Sequence, residues 1–416
     1  MRIGIPYGAG ALEYDFGDAR ILMPRTDALR SGADGRALVE AALAAPIGAK
    51  PLAELAAGKA DAVVIISDHT RPVPSREILP AMLRALRNGN PAIRITLLVA
   101  TGCHRAPTRA ELEQKLGAEL MREHIEIHDA FDPAQNVRIG TLPSGAPLEL
   151  DRRAAQTELL VAEGFIEPHF FAGFSGGRKS VLPGICGRGT VYGNHCGAFI
   201  DHPAARTGVL AGNPIHRDMT AAARMAKLAF IVNAVIDEQK RTVAVFAGDF
   251  EAAHAAGVSF LRPYFQVTAE PADIAVTGNG GRPLDQNLYQ CVKSMTAAEA
   301  AAKEGGTIIV CAELADGVGG EGFFRDLSGC GAPAELYERF CRTPQAQTVP
   351  DQWQSQILCR VLMHHPVIVV TRPEMAQAVR AMKMAWAPSL DAAMRMAGGG
   401  SVNVIPNGVS VIVRTE

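Results

Sequence analysis

The residues of this chain best suited to chemistry gather around one lysine. Lys179 lies near the end of a run that reads Glu167-Pro168-His169-Phe170-Phe171-Ala172-Gly173-Phe174-Ser175-Gly176-Gly177-Arg178-Lys179-Ser180. His169 stands ten residues before it and His195 sixteen residues after it. Glycines let backbone N–H groups turn toward an anion. A lysine beside them can hold a phosphate or attack a carbonyl carbon. The spacing excludes an NTPase P-loop, because GxxxxGK[ST] needs Lys directly after the last Gly and Arg178 intervenes. Standing alone, Lys179 would read as a surface lysine in a flexible loop; its glycine and histidine neighbours argue otherwise.

Two further polar segments carry candidates. One reads Asp68-His69-Thr70-Arg71-Pro72 and the other Thr101-Gly102-Cys103-His104-Arg105. The fork of Arg71 suits a carboxylate, or an ion pair with Asp68. His104, His169 and His195 could hold zinc together, as in a metal hydrolase. Alternatively, one is a metal ligand and two are acid/base groups, since imidazole titrates near neutral pH. No HExxH or comparable spacing supports the zinc alternative. Gln290 and Lys293 are three apart on an expected helix and share a face; alone they are an ordinary polar helix surface. Trp353, one of two tryptophans, reads by default as core.

The elements that must position these groups follow a repeated pattern. Continuous apolar runs at residues 61–66, 93–99 and 158–162 are expected as buried parallel strands, each followed by a polar loop. Strand, loop and helix in repetition predict an α/β fold with a Rossmann-like parallel sheet. Ligands of such sheets bind beyond the carboxyl ends of the strands, where all three loops would lie. Two domains are expected: residues 1–266 joined by 388–416, and a smaller α/β domain at 267–387. Residues 402–413 read as two strands around an Asn-Gly turn, a hairpin returning to the first domain.

A chain of 416 residues with 48% hydrophobic content has enough material for two cores. Its net charge of −2 gives no electrostatic case for nucleic acid or an anionic membrane, and no apolar run reaches spanning length. Eight scattered cysteines without a CxxC suit reduced thiols and a cytoplasmic location.

The chain resembles the nickel-dependent lactate racemase family. The resemblance rests on DHTRP (68–72), TGCHR (101–105), HFFAGFSGGRKSVLPGICG (169–187), NH (194–195), GNPIHRDM (212–219), YQCVK (289–293) and Trp353. It implies a racemase or epimerase of 2-hydroxy acids that carries a nickel-pincer nucleotide, with an active-site cleft between the two domains. Lys179 matches the lysine that tethers this cofactor, and His195 matches the nickel ligand. His104 and His169 match two acid/base histidines. Asp68, His69, Thr70 and Arg71 match cofactor contacts, with Arg71 also at the substrate. Gln290, Lys293 and Trp353 match substrate contacts. The implied reaction moves hydride from C2 to the cofactor and back through a 2-keto acid, with one base on each side. Arg178 would help keep Lys179 deprotonated for attachment. His69 stands where the family often has Lys, which makes charge there pH-dependent if the ring faces the site. The resemblance also implies cofactor-maturation enzymes as partners and leaves a homo-oligomer open. The rival readings are the zinc hydrolase and a non-catalytic nucleotide cofactor carrier.

Overall fold

The computed structural model describes residues 2–415. The chain divides into two compact units. One is Arg25–His195 with Ala204–Tyr264; the other is Met1–Pro24 with Cys196–Pro203 and Phe265–Glu416.

The first unit is built on a six-stranded sheet. Its spatial order is Thr242–Gly248, Leu228–Ile236, Leu160–Phe165, Asp61–Ser67, Arg94–Ala100 and His124–Ile127. All neighbours are parallel except the edge strand Thr242–Gly248. Numbered by their appearance in the chain, these strands lie in the order 3-2-1-4-5-6, the doubly wound arrangement. The expected strands are therefore present, and their apolar runs are continuous because both faces are covered. Helices Gly35–Ala44, Ser75–Gly89 and Arg109–Leu120 bring Val39, Leu43, Leu79, Met82, Leu86 and Leu116 against Val64, Ile66, Leu97 and Val99. Full burial of each such side chain contributes about 1.5–3 kcal/mol. The third helix starts on a capping box, with Thr108 and Glu111 bonding each other's backbone N–H.

The chain reverses direction across the sheet between Asp61–Ser67 and Leu160–Phe165, which pair as Val63 with Leu160 and Ile65 with Ala162. This is the topological switch point. The loops after both strands leave from the same edge there.

The second unit has its own six-stranded parallel sheet: Ala385–Ala387, Val367–Val370, Ala302–Cys311, Ala272–Gly278, Val402–Ile405 and Arg20–Ile21. The tail corrects the expected division. Val402–Ile405 joins this sheet beside Ala272–Gly278, and Ile412–Arg414 pairs with Gln266–Thr268. The two strands flanking Asn407-Gly408 go to different partners, so no hairpin forms and residues 388–416 belong to this unit. The apolar Val402-Asn-Val-Ile405 segment is nearly fully buried, as a central parallel strand requires. The first 24 residues also belong here. Gly8, at φ +55°, turns a hairpin between Arg2–Tyr7 and Gly10–Asp15, and its N–H donates to Asp285 Oδ2 at 2.7 Å.

Among the described residues no helix is long and apolar enough to cross a membrane. All eight cysteines are free thiols.

Candidate active site

Asp68 directly follows the Asp61–Ser67 strand and is 1% exposed. Its Oδ1 accepts from the Thr70 amide at 3.0 Å and the Thr70 hydroxyl at 2.6 Å. Its Oδ2 accepts from His104 Nδ1 at 2.7 Å. A carboxylate has no proton to give, so in the neutral ring His104 carries hydrogen on Nδ1 and its lone pair on Nε2. Burial alone would raise the Asp68 carboxyl. The His104 bond and charge, the Thr70 hydroxyl and Arg71 outweigh burial and bring it down to about 2.

Arg71 Nη1 donates to the Thr70 hydroxyl at 3.2 Å, and its charge acts on Asp68 through space. The residue itself is exposed. His69 turns toward the next helix, with Nε2 3.6 Å from Glu111 Oε1 and Nδ1 buried without a hydrogen-bond partner.

The glycine-lysine run is packed more tightly than an open phosphate loop. The Gly177 amide donates to Asn233 Oδ1 at 2.7 Å, Ser175 N to Glu167 O, and Lys179 N to Gly176 O. Gly176 and Gly177 have φ of +75° and +55°. A Cβ at Gly177 would lie 2.9 Å from the His254 ring, and one at Gly176 would lie 2.8 Å from Phe165 O. These glycines therefore serve close packing as well as backbone shape.

Arg178 is 2% exposed and points inward. It donates to His216 Nδ1 at 3.0 Å and to the carbonyls of Ala172 at 2.8 Å and Gly176 at 3.2 Å; its Nη1 lies 3.1 Å from His254 Nε2. Burial lowers the guanidinium to about 9. Burial and Arg178 together lower His216 to about 4 and His254 to about 3. The charge expected to tune Lys179 is thus directed at two imidazoles, and it ties the run's backbone together.

Lys179 Nζ lies 3.5 Å from His169 Nε2 and 5.8 Å from the Phe171 ring centroid. His169 Nδ1 accepts from the amides of Ala172 at 3.3 Å and Phe171 at 3.5 Å. The two amides set the His169 tautomer with hydrogen on Nε2, opposite to His104, when the Lys179 nitrogen is uncharged, as attachment through it requires; an ammonium there would instead donate to Nε2. Phe171 meets the His195 ring edge-on, with centroids 5.1 Å apart. His195 is buried, and its Nδ1 donates to Val191 O at 3.0 Å, which puts the lone pair on Nε2. Burial, with the nearby charge of Lys179, lowers it to about 3 and keeps the imidazole neutral. A neutral imidazole oriented by a carbonyl is the form a metal binds. The donor set, one such histidine with a lysine beside it, fits a tethered metal cofactor.

The two histidine-bearing loops of this unit are also tied together. Gly102 N donates to Gly184 O at 2.9 Å, joining the His104 loop to the end of the lysine run. His104, His169 and His195 do not converge as a zinc site. Among the described residues no group of three or more His, Cys, Asp or Glu is arranged to hold a metal ion.

Gln290, Lys293 and Trp353 lie in the other unit. Gln290 and Lys293 are one turn apart on helix Leu288–Ala301, capped by Asn287. Trp353 is on helix Gln352–His364. Gln354 Nε2 donates to Tyr289 O, and the Tyr289 hydroxyl bonds Asp351 and Trp353. Tyr289 thereby joins the two helices, a role that sequence reading missed. Glu163, Thr70 as a relay and Phe171 were likewise given no part in the local geometry. Of these, Glu163 had a visible signal: a carboxylate inside an otherwise apolar strand.

A model of the lactate racemase N-terminal domain matches residues 7–208, and one of the lactate racemase C-terminal domain matches residues 267–413. The lactate racemase of Thermoanaerobacterium thermosaccharolyticum is 48% identical over 423 residues, covering 100% of this chain and 99% of that protein. The lactate racemase of Lactiplantibacillus plantarum is 51% identical over 382 residues, 90% of each. The solved lactate racemase apoprotein from T. thermosaccharolyticum matches with a TM-score of 0.96 at 48% identity, covering 100% of both chains. A crystal structure of a Thermotoga maritima protein shares the fold at 18% identity and a TM-score of 0.69, over 92% of this chain and 98% of that one. Relatives this similar over the full length leave one assignment: the chain belongs to the lactate racemase family and is an enzyme of the racemase class of isomerases.

Proposed function

We propose that this enzyme interconverts the two enantiomers of lactate, using a nickel-pincer nucleotide held by Lys179 as tether and His195 as the protein ligand to nickel. The names of its relatives support lactate as substrate. The observation that carries the mechanism is the opposite polarity of two imidazoles, His104 with its lone pair on Nε2 and His169 with its hydrogen there.

Inverting a carbinol carbon through a ketone needs one group to take the hydroxyl proton and another to return a proton from the other side. The bound cofactor supplies the acceptor and donor of the C2 hydride. His104 Nε2 is poised to take the hydroxyl proton, and the resulting imidazolium is stabilised by Asp68, which has no proton of its own to lose at neutral pH. His169 Nε2–H is poised to give one. After a turnover the two rings have exchanged protonation states, and proton exchange with solvent resets them for the next substrate molecule. Arg71 holds the substrate carboxylate, and its charge also acts through space on Asp68 of the Asp68–His104 pair. Gln290, Lys293 and Trp353 add contacts to the substrate. His69 and Thr70 contribute to the cofactor's surroundings.

The reading also implies cofactor-maturation enzymes as partners, and the free cysteines favour a reducing, cytoplasmic setting. The test is expression with those maturation enzymes, followed by intact mass, nickel analysis and a chiral assay. A nickel-bearing adduct on Lys179 and conversion of either pure lactate enantiomer are expected; absence of any adduct rules the reading out.

A further inference from the structure

Glu163 is a charged residue in the middle of the buried strand Leu160–Phe165, with 1% exposure. That strand borders Asp61–Ser67 at the switch point of the sheet. One carboxylate oxygen, Oε1, accepts from three groups: Ser75 Oγ at 2.7 Å, Ser67 N at 3.3 Å and Ser67 Oγ at 3.4 Å. Ser67 is the last residue of the strand before the loop, and Ser75 is the first residue of the helix after it. Both feet of the loop that carries Asp68, His69, Thr70 and Arg71 therefore rest on a single atom.

The other oxygen, Oε2, is buried and has no hydrogen-bond partner. Leaving a carboxylate oxygen so costs free energy, and burial pushes the group's pKa up. The largest opposing influence is the charge of Lys115, on the next helix, followed by the hydrogen bonds of Ser75 and Ser67. Lys115 Nζ in turn donates to the carbonyl of Arg71 at 3.1 Å. The backbone carbonyl of Glu163 also accepts from Ser180 Oγ at 3.4 Å, beside Lys179. A neutral residue would fill this place in the core more cheaply.

We propose that Glu163 is a positioning residue for racemisation: its Oε1 pins the two feet of the Asp68–Arg71 loop while Lys115 holds the Arg71 carbonyl, which fixes where the guanidinium and the Asp68–His104 pair stand. The kinetic part rests on the racemase reading above; the mechanical part does not. Glu163→Gln keeps an accepting oxygen, Glu163→Ala removes it, and Ser75→Ala removes one foot without altering the buried carboxylate.

The experiment measures two things for each variant. Hydrogen exchange of peptides covering residues 67–75 is followed in the protein as purified. The kcat and KM for each lactate enantiomer are measured on holoenzyme and normalised to the Lys179 adduct by intact mass. In Glu163→Ala and Ser75→Ala, exchange in this segment is expected to rise at least about tenfold over wild type. Their kcat per adduct is expected to fall about 10-fold to 100-fold with a rise in KM, and Glu163→Gln to recover most of both. Should Glu163→Ala fail to fold, Ser75→Ala and Glu163→Gln carry the test. Unchanged exchange in Ser75→Ala overturns the clamp. Faster exchange with wild-type kcat and KM per adduct overturns the positioning role. A wild-type holoenzyme that bears the adduct but converts neither enantiomer overturns the racemase reading instead, and the exchange arm still decides the clamp.

Discussion

Asp68 Oδ2 accepts from His104 Nδ1 at 2.7 Å, and that bond decides which nitrogen of His104 faces outward as a base. His169 is set the other way by two backbone amides on its Nδ1. Replacing Asp68 by Asn lets the side chain present either an oxygen or an NH2 to His104, and the tautomer is no longer enforced. Asp68→Asn is expected to lower kcat by about 10²–10³-fold, within the range for general acid–base catalysis. Because Asp68 also matches a cofactor contact, kcat is compared per Lys179 adduct, with the adduct read by intact mass.

The proposed division of labour between tether and bases gives a separate test. Lys179→Ala should yield protein without the covalent adduct. His104→Ala and His169→Ala should each carry the adduct yet lose turnover by roughly 10²–10⁴-fold. Normal conversion by either histidine variant would sink the two-base scheme.

Arg178 is the residue of the run whose place the sequence concealed most. Adjacent to Lys179, it reads as an electrostatic neighbour; in the fold it turns inward and ties carbonyls and imidazoles together. Arg178→Met should destabilise the protein by about 1–3 kcal/mol for each buried acceptor it strands, the Ala172 and Gly176 carbonyls and His216 Nδ1. Arg178→Lys should recover little, since one ammonium cannot reach partners spread over a planar fork. Urea unfolding of the purified variants measures both.

Two kinds of group make stability fall in acid, over different windows. His216 and His254 have folded pKa values of about 4 and 3, below the unfolded value near 6.5. The unfolded chain therefore binds more protons between these limits, and stability is lost as pH falls from about 6.5 toward 3. Asp68 and Asp151 are both held at about 2, so their contribution is present above about 4 and disappears as pH falls toward 2. His254→Gln should reduce the fall of the urea midpoint between about pH 6.5 and pH 3, leaving the shares of His216, His195 and the two aspartates in place. A variant profile parallel to wild type across the upper window would contradict this assignment.

Much of the fold was legible because local chemistry and global placement agree. The apolar runs at 61–66 and 93–99 have only one comfortable place, inside a parallel sheet, and they are found there. Asn213 caps the helix Pro214–Met225, its side chain accepting from Ile215 N at 3.0 Å, and proline at a first helical position suits such a start. The tail was misread because an Asn-Gly pair specifies a turn but not the partners of its flanking strands. At the site, residue types and loop positions were readable. The bonds that fix tautomers were not, since Asp68 meets His104 across 36 residues and Glu163 meets Ser75 across 88.

The most direct test of the central claim starts from pure L-lactate and, separately, pure D-lactate, each incubated with holoenzyme whose Lys179 adduct has been verified by mass. Chiral chromatography is run alongside malate, 2-hydroxyglutarate and aldonic acids. Both lactate samples should converge on equal amounts of the two enantiomers, faster than any other acid in the panel inverts. Lactate that keeps its handedness in adduct-bearing enzyme would contradict that claim.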